Sequence, residues 1–443
     1  MNLDDLSMPE RALWAQFPSG GWVDLSSGDP AEDDLGNAGS WGDGRMVRAE
    51  VVTALLLGAR DPERGYFPAV RLQGARITGR VDLMGAVITH ALVLEHCWFD
   101  EPLRFVEAST KTIRITSSRL PGFNGARMRT EGILNFHLSV IEGLLCLDRA
   151  QVAGEISLRG AHVGDGAGEA LAGAGLIVDG DVECNAGFTA RGQVTLPGAR
   201  IAGLLTFRGA ILDAAGTAVV LSRLQAGQLR LRTARPVAGA INLGQAQVGT
   251  LEDDAAAWPP QIWLHGFTYD WIRQPTGTVP VAERIDWVSR GPLGYQPQPY
   301  EQLAAYYRRA GHDSDVRRVL LAKQRHRRAT LSTPGRAAGR ILDATVGYGY
   351  RPWLAAIWLA LLLTAGTVTF AINRPHPLPG GPVPPFNPFT FTLDLLIPIG
   401  AFGLRDAYAA TGAAQWLTYA LIAAGWILAT AVIAGVTRAV RSD

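Results

Sequence analysis

Cysteine and histidine side chains are the first candidates for nucleophilic or metal-binding chemistry in this sequence of 443 residues. The three cysteines lie far apart, and none belongs to a Cys-x-x-Cys zinc pattern or to a disulfide framework. They are Cys97, Cys146 and Cys184. Four histidines of the same region share no common spacing: His90, His96, His137 and His162. The sequence therefore predicts no metal site and no catalytic cysteine, and it favours a reducing compartment.

Motifs that hold cofactors or carry out catalysis are also missing from the sequence. The glycine-rich stretch GDGAGEALAGAG (164–175) does not have the G-x-G-x-x-G spacing of dinucleotide-binding proteins. No Walker loop, Gly-x-Ser-x-Gly or His-Glu-x-x-His sequence occurs. We expect no catalytic residue and no cofactor, and we predict that the protein is not an enzyme.

One five-residue string points to ion chemistry. Residues 345–349 read Thr-Val-Gly-Tyr-Gly, the string of potassium-channel selectivity filters, in which backbone carbonyls replace the hydration shell of the ion. A filter has to lie between two spanning helices, whereas this string precedes the first long apolar run and follows several arginines. We therefore interpret Gly347 and Gly349 as parts of a bent interfacial elbow rather than of a filter.

Two long uncharged runs follow this string. The first, 353–372, has 20 residues, and at about 1.5 Å per residue it would span about 30 Å, the thickness of a hydrocarbon core. The second run has its best span at 415–436. Trp353 and Trp416 suit the membrane interface, and small residues such as Gly425 allow close helix packing. The pattern predicts a transmembrane hairpin, and a buried hairpin of a soluble protein is the alternative.

Basic residues predict the orientation of this hairpin. Residues 308–351 include 11 basic and 3 acidic side chains, and the second span is followed by Arg438. By the positive-inside tendency, both termini are predicted to lie in the cytoplasm, with the hairpin in the inner membrane. We expect Arg336, Arg340 and Arg351 to meet lipid headgroups. The basic block lacks the aromatic interleaving of a nucleic-acid module, so we expect no nucleic-acid partner.

The loop between the spans contains an apolar segment, 386–404, which includes Asp394 and is interrupted by Pro398 and Gly400. This segment is too short to span a membrane, so it is either a re-entrant half-helix or an interfacial helix on the outer leaflet. The order of span, short helix, loop and span is similar to the two-helix pore module of bacterial cation channels. Residues 396–400 do not match the filter of that family, so the resemblance implies no ion selectivity.

Residues 72–253 repeat a unit of eleven residues with the template G-A-x-I-x-G-x-V-x-L. In the unit GARITGRVDLM, the alternating residues Ala75, Ile77, Val81 and Leu83 are predicted to point inward from two short strands, with a glycine at the corner between them. One unit cannot bury its apolar side alone, so the units must stack. Two units make a coil of about 22 residues with four faces, and we expect about eight coils over about 40 Å.

This pattern resembles the pentapeptide-repeat proteins and related right-handed quadrilateral β-helices, although its unit is eleven residues long and insertions occur near 165–173 and 191–193. The resemblance implies a mainly β fold: a right-handed quadrilateral-type β-helix, followed by a helical neck and a C-terminal transmembrane hairpin. The predicted divisions are an acidic segment with a capping helix (1–70), the solenoid (71–255), an aromatic-rich end cap and linker (256–297), a basic helical neck (298–350) and a membrane domain (351–443).

Both ends of a solenoid need covers, because the end strands have unpaired backbone groups. The stretch Trp41–Ala59 has the apolar spacing of an amphipathic helix at Val47, Val51 and Leu55, and we predict that it caps the first coil. The aromatic stretch Trp258–Ile272 is predicted to close the last coil.

The strings GYGYRPW (347–353), GWILAT (425–430) and AGVTRAV (434–440), together with the order of regions, are similar to a group of actinobacterial membrane-anchored solenoid proteins. One member of that group is connected with contractile injection systems, phage-tail-like particles that must reach the membrane. The resemblance implies a membrane adaptor that docks a large cytoplasmic assembly. The alternative is an oligomeric two-helix pore, built from copies of this chain around the loop with Asp394 and regulated by the solenoid.

Overall fold

The computed structural model describes residues 3–274, 277–347, 352–378, 384–397, 399 and 402–441. The chain divides into two compact units, Met1–His312 and Asp313–Asp443. The first unit is a parallel β-solenoid of about nine turns with helices at both ends, and the second unit is helical. The predicted order of a solenoid, then helices, then two long apolar C-terminal helices is therefore confirmed.

Each turn of the solenoid contributes short strands to four faces, and each strand pairs in parallel with the strand one turn away. Face 1 consists of Val23–Asp24, Ala69–Gln73, Ala91–Glu95, Ile113–Thr116, Leu134–Asn135, Ile156–Ser157 and Val182–Glu183. Face 2 consists of Met46–Arg48, Arg76–Thr78, Trp98–Phe99, Arg119–Leu120, Val140–Ile141, His162–Val163, Thr189–Arg191 and Ile211–Asp213. Face 3 consists of Leu103–Arg104, Phe123–Asn124, Leu145–Cys146, Glu169–Ala172, Gln193–Thr195, Thr217–Val220, Ala240–Asn242 and Ile262–Trp263. Face 4 consists of Ser109–Thr110, Arg129–Thr130, Gln151–Val152 and Ile177–Val178.

In the last four turns, faces 4 and 1 merge into long strands that serve both. These strands are Arg200–Thr206, Gln225–Leu231, Gln247–Asp253 and Thr268–Arg273. The last of them lies beyond the expected end of the repeats, which explains why the solenoid has about nine turns rather than eight. In that last strand, aromatic residues such as Tyr269 occupy the inward positions, so its sequence does not match the aliphatic repeat template.

The register of the strands follows the predicted coil length. Leu134 pairs with Ile113 on one side and with Ile156 on the other, so the step is 21 or 22 residues. Ile156 pairs with Val182, a step of 26 residues. That longer turn contains the insertion expected near 165–173, and the strand there has a register shift.

The core of the solenoid consists of the inward positions of the repeat. Ala75, Ile77, Val81 and Leu83 are at most 2% exposed, as the alternation predicts. Later turns add aromatic rings, and the ring centroids of Phe105 and Phe123 are 5.3 Å apart in a stacked pair. Each large side chain that is fully buried in this way stabilises the fold by about 1.5–3 kcal/mol.

The second glycine of the template is required by close contact between turns. A Cβ atom on Gly154 would lie 2.6 Å from the carbonyl oxygen of Gly132, one turn earlier. A Cβ atom on Gly180 would lie 2.7 Å from the carbonyl oxygen of Gly154. Any side chain at these corners would therefore push neighbouring turns apart and break the strand pairing.

Two helices, α1 (Met8–Gln16) and α2 (Ala49–Leu56), cover the first turn. The prediction of a helix over Trp41–Ala59 is wrong for its first half, because Val47 lies in a strand that pairs with Ile77 and forms the start of face 2. The apolar spacing of Val47, Val51 and Leu55 suits a helix, but at Val47 the pairing with the strand of the first repeat determines the structure.

Helix α1 is fixed to this strand by Glu10. Its carboxylate accepts hydrogen bonds from the backbone N–H of Arg48 at 3.0 Å and from the guanidinium of Arg48 at 2.8 Å. Burial by itself would raise the pKa of Glu10, but these hydrogen bonds and the nearby positive charge lower it to about 2.

Helices α3 (Val281–Ser289) and α4 (Pro297–Arg309) close the other end, a role that we had expected of the aromatic stretch before them. The buried guanidinium of Arg284 donates two hydrogen bonds of 2.6 Å to Asp253 in the solenoid. Side chains of α4 donate to the carbonyl oxygen of Tyr269, from Gln302 at 2.6 Å and from Arg309 at 2.9 Å. These contacts cover the free edge of the last strand.

The second unit contains six helices among the described residues: α5 (Asp313–Ala329), α6 (Thr333–Val346), α7 (Pro352–Ile372), α8 (Pro388–Leu396), α9 (Leu404–Ala407) and α10 (Ala413–Arg441). A short antiparallel pair, His376–Pro377 with Tyr408–Ala409, joins the two loops between α7 and α10. Arg325 and Arg328 of α5 both form ion pairs with Asp343 of α6, at 3.1 Å each.

The inward columns can be tested at two neighbouring positions. Leu158 is completely buried, whereas the Arg159 side chain is half exposed and 3.6 Å from Glu183. We expect Leu158→Asp to lower the free energy of unfolding by about 4 kcal/mol or more, since it removes apolar burial and buries a charge. Arg159→Ala should change it by about 0.5 kcal/mol at most. Thermal melts followed by circular dichroism in detergent measure both, and equal melting temperatures would contradict the inward assignment.

Candidate membrane anchor and docking surface

Two helices of the second unit expose most of their apolar surface. The runs Trp353–Ile372 in α7 and Ala413–Thr430 in α10 are long and apolar enough to cross a membrane, with mean hydropathies of 2.0 and 1.3. Only 17% and 22% of these runs are buried. A core helix of a soluble protein is mostly buried, so these surfaces need a lipid or protein environment to cover them.

Tryptophans mark the first turn of each apolar run. Trp353 is 57% exposed and Trp416 is 76% exposed. The side chain of Trp358, further along α7, donates a hydrogen bond of 3.0 Å to the carbonyl oxygen of Ala344 in α6. Helix α6 therefore folds back against the start of the first apolar run.

Helix α8 packs between α7 and α10. The Phe391 ring meets the Phe370 ring edge to face, with centroids 4.9 Å apart. A Cβ atom on Gly425 of α10 would lie 2.1 Å from the carbonyl oxygen of Leu396, the last residue of α8. Gly425, expected to allow close packing of the two spans, thus receives the end of α8. Gly425 lies well inside the run Ala413–Thr430, so the end of α8 lies beside an interior part of that run.

Asp394 holds the loop that follows α8. It is completely buried, and its carboxylate accepts hydrogen bonds of 2.9 Å from the backbone N–H groups of Phe402 and Arg405. A buried carboxylate is stable only with such donors, so this side chain fixes the return of the chain toward α10. Pro398 and Gly400, the expected breaks, lie outside the described residues.

The basic residues predicted near the membrane fall partly within the described chain. Arg336 and Arg340 are exposed and lie one turn apart on α6. Arg351 lies outside the described residues, and Arg438 belongs to α10 but its side chain is not described. Gly347, directly after α6, has a φ of +54°, a left-handed conformation that commonly ends a helix, and Gly349 lies outside the described residues.

The cysteines are part of the solenoid wall. Cys97 and Cys184 are completely buried, and burial raises the pKa of the Cys97 thiol to about 12. Such a thiol is not ionised near neutral pH and is a poor nucleophile. In the part of the chain that the structure describes, no three His, Cys, Asp or Glu side chains are arranged to hold a metal ion.

An open groove of about 640 Å³ runs along the corner where faces 4 and 1 merge. One wall is a column of exposed side chains that follow one another in register, Arg200, Gln225, Gln247 and Thr268. On the opposite side no long side chains rise from the surface, because the next outward positions are occupied by the small residues Ala202, Gly227 and Gly249. Five strands line the groove, so its length is about 19 Å.

Sequence reasoning missed this groove. The signal is present as the small residues Ala202, Gly227 and Gly249, which recur at roughly the length of one coil. The groove exists only because these small residues lie side by side in consecutive turns. That arrangement depends on the register shift between Ile201 and Leu204, where the strand Arg200–Thr206 pairs with Gln225–Leu231.

Comparisons of the chain with protein-family models, with curated proteins and with solved structures find no match. The geometry of the described residues is therefore the basis for assigning a function.

The role of Asp394 can be tested against an exposed neighbour. Asp394→Asn removes the charge from two buried hydrogen bonds, and we expect the detergent-solubilised protein to lose about 1–3 kcal/mol of stability, with faster proteolysis of the loop that follows α8. Asp406 is the matched control, because its side chain is 81% exposed and 3.8 Å from Arg405. Fluorescence-detected size exclusion after heating measures both variants. Equal losses of stability for Asp394→Asn and Asp406→Asn would contradict the conclusion that Asp394 holds the loop after α8.

Proposed function

We propose that the protein is a membrane-anchored scaffold in which α7 and α10 cross the cytoplasmic membrane and the solenoid docks a large cytoplasmic protein assembly. The observation that carries this proposal is the presence in one chain of two exposed apolar helices and a solenoid with both ends covered. Covered ends prevent open-ended stacking of solenoids, so the side faces are the surface that a partner can use.

A solenoid face suits docking because its backbone is already ordered, so that association costs little conformational entropy. The groove beside Arg200 and Gln225 adds hydrogen-bonding side chains on one wall, while Gly227 lets a partner backbone approach closely. A groove of about 19 Å accommodates about six residues of an extended polypeptide. We therefore place the docking site for a partner segment in this groove.

The resemblance to actinobacterial membrane-anchored solenoid proteins supports a contractile injection particle as the first partner to test. In this proposal both termini of the chain lie in the cytoplasm, on the same side as the particle. The exposed arginines Arg336 and Arg340 on α6 support that orientation.

Membrane recruitment tests the proposal directly. In host cells with the full-length protein, we expect the sheath protein of the particle to sediment with membranes, because α7 and α10 hold the scaffold there. A chain truncated after Ile341 should release most of that sheath protein to the soluble fraction. Unchanged sedimentation with the truncated chain would contradict the adaptor.

Two matched substitutions then test the groove in the same assay. Ala202→Arg fills the groove from an exposed position, so we expect at least a tenfold loss of recruitment. Ala153→Arg adds the same side chain at the equivalent exposed position of an earlier turn, outside the groove, and should leave recruitment unchanged. Equal effects of the two substitutions would place the docking site elsewhere on the solenoid.

An oligomeric pore is the second candidate, and the placement of α8 supports it. A short helix between two apolar helices, with its end beside Gly425, has the order of span, re-entrant helix and span that pores use. Copies of the chain would have to surround a common axis, with the loop after α8 facing it.

Ion flux separates this candidate from a pure scaffold. If the pore exists, purified protein in liposomes passes cations, and Asp394→Asn changes the flux several-fold because it loosens the loop after α8. The control is Asp406→Asn, which should leave the flux unaltered. Liposomes with wild-type protein that remain as tight as empty liposomes would rule the pore out.

A further inference from the structure

Helix α6 (Thr333–Val346) has a basic face that the rest of the described structure leaves exposed. Arg336 and Arg340 lie one turn apart on this helix, and both are exposed. Arg327, near the end of α5, is exposed as well. Within the described ranges, no carboxylate lies within ion-pair distance of these three guanidinium groups.

The acidic residue of α6 is already neutralised by arginines of α5. Asp343 forms ion pairs with Arg325 and Arg328 at 3.1 Å each, and its side chain is only 15% exposed. The arginines of α5 and α6 thus fall into two groups. Arg325 and Arg328 join the two helices, while the positive charge of Arg336 and Arg340 is left for a ligand outside the protein.

The position of α6 relative to α7 identifies the kind of ligand. The hydrogen bond from the Trp358 side chain holds Ala344, near the C-terminal end of α6, beside the first turns of α7, and the backbone of Trp358 lies five residues, or about 7.5 Å, past that of Trp353. Amphipathic helices in a membrane interface bury their apolar face by about 5–10 Å. Helix α6 also packs against α10, the other apolar helix.

We infer that α6 is an interfacial helix and that Arg336 and Arg340 form a site for the phosphate groups of anionic phospholipids. This inference rests on the proposed membrane anchor and adds the lipid class that the anchor selects. Guanidinium groups bind phosphate oxygens through paired, charge-assisted hydrogen bonds. Each such arginine strengthens binding to an anionic surface by roughly fivefold.

Native mass spectrometry of the full-length protein in detergent, with equal phosphatidylglycerol and phosphatidylcholine added, measures the selectivity. We expect wild-type protein to retain phosphatidylglycerol preferentially and the double variant Arg336→Gln/Arg340→Gln to lose about 30-fold of that preference. Arg336→Lys/Arg340→Lys should keep most of it, because the charge remains. The control Arg127→Gln/Arg129→Gln removes two exposed arginines of the solenoid and should leave the preference intact.

Several results overturn the inference. They are a wild-type protein without lipid preference, a glutamine variant with full preference, or an equal loss in the solenoid control. Displacement of the lipid by excess inorganic phosphate would show a site for free phosphate instead of a headgroup. Resistance to carbonate extraction is measured in parallel and tests the anchor alone, since wild-type protein that washes off membranes contradicts the spans even if it binds phosphatidylglycerol vesicles.

Discussion

The parallel pairing of each solenoid turn with the next is the interaction on which the rest of the first unit depends. Because neighbouring strands bond along the axis of the solenoid, every inward residue must fit the residue one turn away. This requirement accounts for the buried columns of Ala75 and Ile77 and for glycines such as Gly154, where a Cβ atom would strike the previous turn. It also leaves two free ends, and the contacts of Glu10 and of Arg284 fix the helices that cover them.

In the second unit the apolar side chains are not buried by the rest of the protein, whereas in the solenoid they fill the core. Most of the surface of the runs Trp353–Ile372 and Ala413–Thr430 is exposed. The buried charge of this unit is satisfied internally, since the carboxylate of Asp394 accepts hydrogen bonds from backbone N–H groups of the loop that returns to α10. A membrane accepts such a loop only when its backbone is covered by protein in this way.

Local patterns predicted much of this architecture. The alternation of apolar residues around Val81 and Leu83 was sufficient to predict which side chains point into the solenoid. The length of the uncharged run was sufficient to predict the apolar helix α7. Val47 was placed wrongly because its helical spacing competes with pairing to Ile77, a partner 30 residues away. Contacts of that kind are set by the register of whole turns, which spacing within one element does not contain.

The candidate sites show the same division. Arg336 and Arg340 were selected from the sequence because they belong to the basic block that precedes the first apolar run. The partners of Asp394 and the groove beside Gln225 were not predicted, because each requires several segments to meet in three dimensions. The closing contact between Arg284 and Asp253 joins residues 31 positions apart and was missed for the same reason.

Affinity capture of the full-length protein from gently solubilised membranes of its own host, followed by quantitative mass spectrometry, tests the scaffold most directly. The account predicts one cytoplasmic assembly in fixed stoichiometry with the protein, and its loss when the solenoid is deleted. Recovery of the protein alone, as a discrete oligomer of its own copies, would contradict the scaffold and favour the pore.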